Sequence, residues 1–211
     1  MSEMNLMFVQ DYFKREMSVL KNINLQELNS IADYIRYTCG HGGSRLFVFG
    51  NGGSGATASH FKCDLEKTVS TSTDLRFDVQ CLNDNVFELM AISNDINYDT
   101  VFETQLAYKN LSPSDLVVVF SGSGNSKNII RAVEFAKLKG CTTIGFVGFD
   151  GGKLKEICDF SLHVQTDDMQ IVEDIHIMIT HCIIQRFIKE FAVKDVNNYD
   201  DICENEIGEI D

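Results

Sequence analysis

A histidine and an aspartate stand four residues apart, shortly after a glycine-rich turn. The turn has the sequence GNGGS at residues 50–54, and His60 and Asp64 follow it in a segment with a helical pattern. Because residues four apart share one face of a helix, these side chains can point at a single atom, as metal ligands or as an acid–base pair. Glycine lets the backbone approach an anion, and a helix start offers free N–H donors. The residues therefore predict a phosphate cradle with a ligand or acid–base pair beside it.

The glycine pattern does not fully match either of the usual nucleotide-binding loops. A P-loop ends in Gly-Lys-Ser/Thr, which is absent here. Gly50, Gly52 and Gly55 do satisfy G-x-G-x-x-G, so the glycines alone leave a dinucleotide site open. That interpretation also requires an acidic residue at the end of a second strand about 20 residues later, and the chain offers no clear candidate.

A second small polar loop, FSGSGNS at residues 120–126, also joins a strand pattern to a helix pattern. Its hydroxyls, together with the N–H groups at the helix start, can form another anion site. A flexible turn followed by a helix cap is the alternative. Ligands of parallel sheets bind at the carboxyl ends of the strands, so two such loops favour a binding site.

Apolar runs alternate with helical patterns through most of the chain, which predicts an α/β fold with a parallel sheet and helices on both faces. The predicted strands are residues 46–49, 78–82, 116–120, 143–147 and 160–164. The predicted helices are two within residues 4–40, separated near 22–24, and then 56–68, 85–92, 101–109, 127–139, 153–157 and 169–193. Residues 39–44 predict a glycine cap and a turn that contains His41. We expect N-terminal helices over 1–40, a core domain over 41–193 and an acidic tail over 194–211.

The composition restricts the partners and the compartment. The 211 residues include 31 acidic and 18 basic ones, for a formal net charge of -13. This charge opposes binding to nucleic acid, and an anionic ligand must then be held by local donors. No apolar run reaches the ~18 residues of a membrane span, and the N-terminus lacks a basic signal region, so we expect a cytoplasmic protein. Seven cysteines without a CxxC pair predict reduced thiols, mostly in the core.

These motifs, in their order and spacing, resemble those of the SIS (sugar isomerase) domain family, and more narrowly its phosphoheptose isomerase subfamily. The resemblance covers about residues 5–190. Besides the two loops, it rests on SND at 93–95, YDTVF at 98–102, GFDGGK at 148–153 and EDIHIMITH at 173–181. It implies a three-layer sandwich around a five-stranded parallel sheet, and a homotetramer with active sites at subunit contacts.

The resemblance also implies an activity, the isomerisation of an aldose and a ketose that carry a phosphate. The expected substrate is sedoheptulose 7-phosphate, converted through a metal-assisted enediolate into a heptose 7-phosphate for lipopolysaccharide or capsule precursors. Two alternatives stay open. One is a non-catalytic SIS module that binds a phosphosugar or a protein partner, and the other is an isomerase for a different sugar phosphate.

Site residues follow from the resemblance position by position. The phosphate would be held by Ser121, Gly122, Ser123 and Ser126. The remaining substrate contacts would come from Asn51, Gly52, Gly53, Ser54, Asn94, Asp95 and Glu173. A divalent metal, with zinc expected, would be held by His60, Asp64, Glu173 and His181. Asp64 would act as the base and His181 as the acid.

Residue types and spacing are compatible with that metal cluster. Glu173 and His181 are eight residues apart, a little over two helical turns, which predicts that they lie near one stripe. Two imidazoles and two carboxylates form a competent set for zinc. His176 lies about 140° around the helix from His181, so it is predicted to be a packing residue.

The chain also departs from the subfamily pattern. Asp64 stands where the subfamily has glutamate, and Glu173 where it has glutamine. Thr68 replaces a usual arginine, and Gln170 and Ile171 replace an Asp-Arg pair. The shorter Asp64 draws its carboxylate back by roughly an ångström, a shift that can cost about 10²-fold in rate. The departures bear on substrate and rate but remove no class of catalytic group.

Overall fold

The computed structural model describes residues 3–193, and the side chains from residue 6 onward. The predicted acidic tail at 194–211 lies outside the described residues, as does Cys203. The strands are β1 His41–Gly50, β2 Arg76–Cys81, β3 Leu116–Ser121, β4 Thr142–Val147 and β5 Phe160–His163. The helices are α1 Glu3–Leu20, α2 Leu25–Cys39, α3 Gly52–Cys63, α4 Ser70–Ser72, α5 Val86–Asp95, α6 Val101–Tyr108, α7 Lys127–Leu138, α8 Gly152–Ile157 and α9 Met169–Phe191.

The five strands form one parallel sheet in the order β2-β1-β3-β4-β5, which confirms the predicted fold class. From β1 the chain passes outward to β2, and then returns across β1 to form β3. This reversal makes the crevice beyond the ends of β1 and β3 the switch point of the sheet, where open α/β folds bind their ligands.

Helices cover both faces of the sheet, so its central strands are continuous apolar runs. On one face Phe120 stacks on Phe146, with ring centroids 4.9 Å apart, within a core shared with α2, α3 and α9. On the other face Phe49 stacks on Phe102 at 4.7 Å, beneath α6 and α7. All four rings are buried. The site loops therefore leave a sheet that is rigidly packed from both sides.

The helix after the glycine turn differs from the prediction. It is α-helical only to Cys63, and Asp64–Val69 then forms a π-helix that leads into α4. A π-helical turn is rare and is frequently found at functional sites. Here it begins at Asp64, the predicted base.

His41 is the first residue of β1, whereas the sequence predicted it within a turn. The two glycines that follow adopt positive φ angles, 74° at Gly42 and 90° at Gly43. The pairing of β1 with β2 is irregular between His41 and Arg45, so the glycines form a bulge within the strand instead of a separate turn. Gly40 caps α2 in the ordinary right-handed region, with φ of -74°.

Within residues 3–193 the cysteines, from Cys39 to Cys182, form no disulfide with one another and are free thiols. Burial raises the pKa of Cys39 and of Cys81 to about 12, so both are neutral core groups. Within residues 3–193, no helix is both long enough and apolar enough to cross a bilayer.

Candidate active site

The glycine turn is built against the ends of β1 and β3. A side chain at Gly50 would lie 2.7 Å from the Ser54 backbone and 2.8 Å from the Phe120 carbonyl oxygen, so only glycine fits. Asn83 clamps the same residue, because its amide donates to the Gly50 carbonyl at 2.8 Å and accepts from the Gly50 N–H at 3.2 Å. Gly52 has a positive φ of 54° and open space beside it. The turn is therefore fixed to the sheet at Gly50 and has open space beside Gly52.

The serine loop offers a second set of donors. Ser121 is buried, and its hydroxyl accepts from the Gly124 N–H at 3.2 Å. The Ser123 hydroxyl accepts from the Asn125 N–H at 3.2 Å. Ser126 is the N-cap residue of α7, yet its hydroxyl makes no bond to the first turn of that helix. That hydroxyl and the helix start are available to an anion.

A third segment, residues 148–153, supports the serine loop from behind. The Gly148 N–H donates to the Gly122 carbonyl at 2.9 Å, and the Lys153 N–H donates to the Asn125 side chain at 3.0 Å. Any side chain at Gly124 would collide with the Gly151 carbonyl. The GFDGGK motif thus shapes the serine loop.

Both loops lie on the same edge of the sheet, as the sequence predicts. Gly50 pairs directly with Phe120 in the parallel ladder, and each strand extends one residue beyond its predicted end, to Gly50 and Ser121. Ser54 is buried beneath the turn, whereas Gly52 and Gly53 are exposed.

His60, Asp64 and His181 converge, and one ligand atom from each lies within 4.8 Å of the others. The His60 Nε2 atom lies 3.1 Å from the His181 Nε2 atom and 3.2 Å from the Asp64 Oδ2 atom. Asp64 Oδ2 and His181 Nε2 are 3.8 Å apart. Both imidazoles are half-exposed, so the cluster opens to the surface.

This donor set fits a catalytic metal ion. Three protein ligands with an open fourth position are typical of catalytic zinc. Two nitrogens bound tetrahedrally to one zinc would be about 3.3 Å apart, close to the 3.1 Å between the two imidazoles. Thr68 donates its hydroxyl to Asp64 Oδ1 at 3.1 Å, which orients the carboxylate and leaves Oδ2 facing the histidines.

Glu173 does not join this triad, although the sequence places it among the metal ligands. Its carboxylate lies against Gly53, where a side chain would collide with it. Eight residues advance a helix by 800°, so Glu173 and His181 lie about 80° apart around α9. That angle turns Glu173 toward the glycine turn while His181 faces His60.

Helix α9 follows α3 along the site. Met169 lies against Gly122 of the serine loop, Glu173 against Gly53 of the glycine turn, and His181 beside His60. His60 is seven residues beyond Gly53, or about 10 Å along the helix. The triad is therefore two turns away from the glycine turn.

Asn94 and Asp95 end α5 and are exposed, and the Asn94 amide donates to the Asp95 carboxylate at 2.8 Å. Asn94 borders an open cleft of about 510 Å³, which is also lined by Val86, Leu89, Met90, Ser93 and Tyr98. Tyr98 donates its hydroxyl to the Asn51 side chain at 2.8 Å, which connects this cleft to the glycine turn.

Sequence reasoning missed Asn83 and Tyr98, described above, and also a buried polar residue, Asn128. It is only 2% exposed, and its amide exchanges two hydrogen bonds with the amide of Asn51. The two residues are 77 positions apart and no local motif joins them, so only the fold reveals the pair.

His176 is buried in the core as a packing residue, next to Phe120 and Phe146. Neither of its ring nitrogens has a hydrogen-bond partner among the described residues. Burial lowers its pKa from 6.5 to about 4, an effect that the nearby Val147 backbone offsets only in part.

Known proteins are similar to this chain in sequence and in fold. The SIS domain profile matches residues 10–148. A Thermoplasma acidophilum protein named "Probable phosphoheptose isomerase" is 38% identical over 170 residues, which cover 81% of this chain and 92% of that protein. The phosphoheptose isomerase of Aliarcobacter butzleri is 34% identical, over 87% of this chain and 97% of that protein.

A solved phosphoheptose isomerase from Francisella tularensis superposes with a TM-score of 0.78 at 25% identity, over 90% of this chain and all of that one. The matched profile spans more than half of the chain and includes both the glycine turn and the serine loop. The curated relatives match over nearly their full length. The chain therefore belongs to the SIS domain family, alongside relatives named phosphoheptose isomerase.

Proposed function

We propose that this protein is a sugar-phosphate isomerase and that its substrate is sedoheptulose 7-phosphate. The observation that carries the proposal is the convergence of His60, Asp64 and His181, whose facing atoms are 3.1–3.8 Å apart. Two loops suited to anions accompany this triad. A protein that only bound a phosphosugar would need the loops but not the triad.

The phosphate of the substrate would lie in the serine loop, against the hydroxyls of Ser123 and Ser126 and the start of α7. Ser121 supports the loop from within, because its hydroxyl is already bonded to the Gly124 N–H. The sugar would extend past the open face of Gly52 toward the triad. The overall charge of -13 makes local N–H and O–H donors the main attraction for an anion.

The glycine turn lies beside the serine loop, because Gly50 pairs with Phe120, and the spacing between this turn and the triad supports a long substrate. The triad lies about 10 Å along α3 from the glycine turn. In an open-chain heptose 7-phosphate, the carbonyl group is at the far end of the molecule from the phosphate. A triose phosphate is too short to reach both places.

Isomerisation moves a proton between two neighbouring carbons through an enediolate. Asp64 would remove the proton next to the carbonyl, and His181 would donate a proton to the adjacent carbon. The proton held by Asp64 would then pass to His181, which restores both groups. The two groups lie 3.8 Å apart, close enough to serve adjacent carbons of one substrate. A divalent ion held by His60, Asp64 and His181, which we propose to be zinc, would supply Lewis-acid polarisation of the carbonyl. With the Nε2 atom of His181 as a ligand, the proton that His181 donates would come from its Nδ1 atom.

The test is proton exchange in D₂O. Purified protein with zinc is incubated with sedoheptulose 7-phosphate, and NMR follows the incorporation of deuterium at the carbon next to the carbonyl. We expect exchange together with an aldose product. If the substrate binds but neither exchange nor product appears, the binding-module alternative would replace our proposal. If exchange occurred only with a shorter sugar phosphate, that compound would replace sedoheptulose 7-phosphate as the proposed substrate.

The serine loop gives a prediction about affinity. Replacing both Ser123 and Ser126 by alanine should raise KM by about 10–100-fold, because each lost bond to a charged phosphate costs about 1.5–3 kcal/mol in isolation and water replaces part of it. Ser114→Ala, at an exposed turn before β3, is the matched control. An unchanged KM in the double variant would remove the loop from the site.

Exposed apolar side chains on α1 and α5 support self-association, which we propose to be a homotetramer. On α1 they are Leu6, Met7, Phe8, Val9, Phe13 and Met17, and on α5 they are Val86, Phe87 and Met90. Patches of this kind are uncommon on monomers. Light scattering at micromolar concentration should give a mass near four times 23.7 kDa. A monomeric mass would contradict the proposal.

The described cysteines are free thiols, of which Cys39, Cys81 and Cys141 are buried and Cys63 and Cys182 are exposed. Free thiols suit a reducing compartment, and we therefore propose that the protein works in the cytoplasm. A product made there would be available as a precursor for lipopolysaccharide or capsule synthesis.

A further inference from the structure

Asn128 is the second residue of α7 and is buried, and none of the roles proposed so far uses it. Its amide faces the amide of Asn51. Asn51 Nδ2 donates to Asn128 Oδ1 at 3.0 Å, and Asn128 Nδ2 donates to Asn51 Oδ1 at 2.9 Å. The pair links the turn that follows β1 to the helix that follows β3.

The surroundings allow one orientation of this pair. The Ile129 N–H lies 3.0 Å from Asn128 Oδ1, although it also lies 3.1 Å from the Ser126 carbonyl. If the Asn128 amide were turned over, its NH₂ group would face that N–H, donor against donor. The orientation of Asn128 then determines that of Asn51, because each amide must offer a donor where the other offers an acceptor.

This orientation leaves the Asn51 side chain with one hydrogen-bonding group that is not yet used. Its oxygen has two acceptor positions, and both are filled, by Asn128 and by the Tyr98 hydroxyl at 2.8 Å. Its nitrogen carries two hydrogens, and one of them goes to Asn128. No other residue within 3–193 accepts the second N–H, so this N–H remains for a ligand and the Asn51 side chain can only donate.

We propose that Asn128 is a positioning residue that presents Asn51 to the substrate as a single N–H donor. The group it meets is an acceptor oxygen of the sugar, either a hydroxyl or the carbonyl. This inference rests on the proposed function for the identity of that ligand. Asn128 itself does not contact the substrate, since it is buried beneath Asn51.

A double-mutant cycle tests the inference, with Asn51→Ala, Asn128→Ala and the double variant assayed on sedoheptulose 7-phosphate. Asn128→Ala should lower kcat/KM about 10-fold, because Asn51 loses two of its three bonds and is then held only by Tyr98. In the Asn51→Ala background the same change should have almost no further effect. An equal loss in both backgrounds would show that Asn128 acts on α7 or the serine loop and would overturn the inference.

Binding of inorganic phosphate separates the two loops. Its Kd, measured by NMR titration, should change less than twofold in Asn128→Ala, because the serine hydroxyls remain in place. A fall in phosphate affinity as large as the fall in kcat/KM would also overturn the inference.

A third measurement needs no turnover. The side-chain amide signal of Asn51 is assigned by its disappearance in Asn51→Ala. In Asn128→Ala this signal should shift, and the chemical shifts of its two protons should become similar. An unchanged signal would contradict the network. Because no substrate is present, this result stands even if the proposed activity fails.

Tyr98→Phe is the second variant, for use if Asn128→Ala does not fold. Tyr98 is 55% exposed, so its loss should not affect folding. It removes one of the two donors to Asn51 Oδ1 and should lower kcat/KM about 2–5-fold, with no further loss in the Asn51→Ala background. Equal effects in both backgrounds would count against the inference.

Discussion

Replacing Asp64 by asparagine is expected to lower kcat by about 10²–10⁴-fold, the usual contribution of a positioned general base. The change preserves the size of the side chain and the acceptor for Thr68, which donates to Asp64 Oδ1 at 3.1 Å. It removes the negative charge 3.2 Å from His60 and 3.8 Å from His181. The measurement is deuterium exchange into sedoheptulose 7-phosphate, with the metal content determined in parallel.

Two further variants make this result specific. Asp74→Asn is the same chemical change at an exposed aspartate before β2 and should leave the rate within twofold. Asp64→Glu restores the subfamily residue and should retain activity or raise it for the heptose substrate. If Asp64→Asn kept its full rate with metal bound, Asp64 would not be the base.

Acidification should destabilise the protein in a step that depends on His176. The ring is fully buried, and its pKa is lowered from 6.5 to about 4 in the folded state. Between these values the unfolded chain binds a proton that the folded chain does not, so the free energy of unfolding falls as pH falls. The full contribution is present above pH 6.5, and about 2 kcal/mol of it should be lost by pH 5.

Urea unfolding of wild type and His176→Leu at pH 7 and pH 5 measures this step. At pH 7 the variant should be as stable as wild type or more stable, because it removes two ring nitrogens that have no hydrogen-bond partner in the described part of the chain. Its loss of stability at pH 5 should be smaller than that of wild type by about 2 kcal/mol. His41→Gln, at an exposed position, should behave as wild type. Equal acid losses in wild type and His176→Leu would assign the step to other groups.

The strands and both loops could be predicted from sequence, because their signals are local. The runs that form β1 and β3 are continuous and apolar, and small polar residues follow each of them. A parallel sheet then requires both loops to share an edge. The proximity of His60 and Asp64 could also be predicted, since residues four apart lie on the same face of a helix.

Predictions of which side chains meet become less accurate as the residues lie farther apart along a helix or on different elements of the fold. Over eight residues the departure from whole turns reaches about 80°, which is enough to separate Glu173 from His181. The pairing of Asn51 with Asn128 depends on the position of α7 beside the end of β1, which no local pattern encodes. A pair of glycines can form either a turn or a bulge within a strand, and no local signal tells the two apart. The sequence therefore predicts a turn at His41, where the structure has a strand with a bulge.

Helix α9 carries three contacts at set intervals, with Met169 at Gly122, Glu173 at Gly53 and His181 at His60. Inserting or deleting one residue between the first and the last would rotate His181 by about 100° and shift it by about 1.5 Å. The triad would be lost while both loops kept their shape. A substitution on this helix leaves the spacing between Met169 and His181 intact, whereas a change in the length of the helix between them would break the triad.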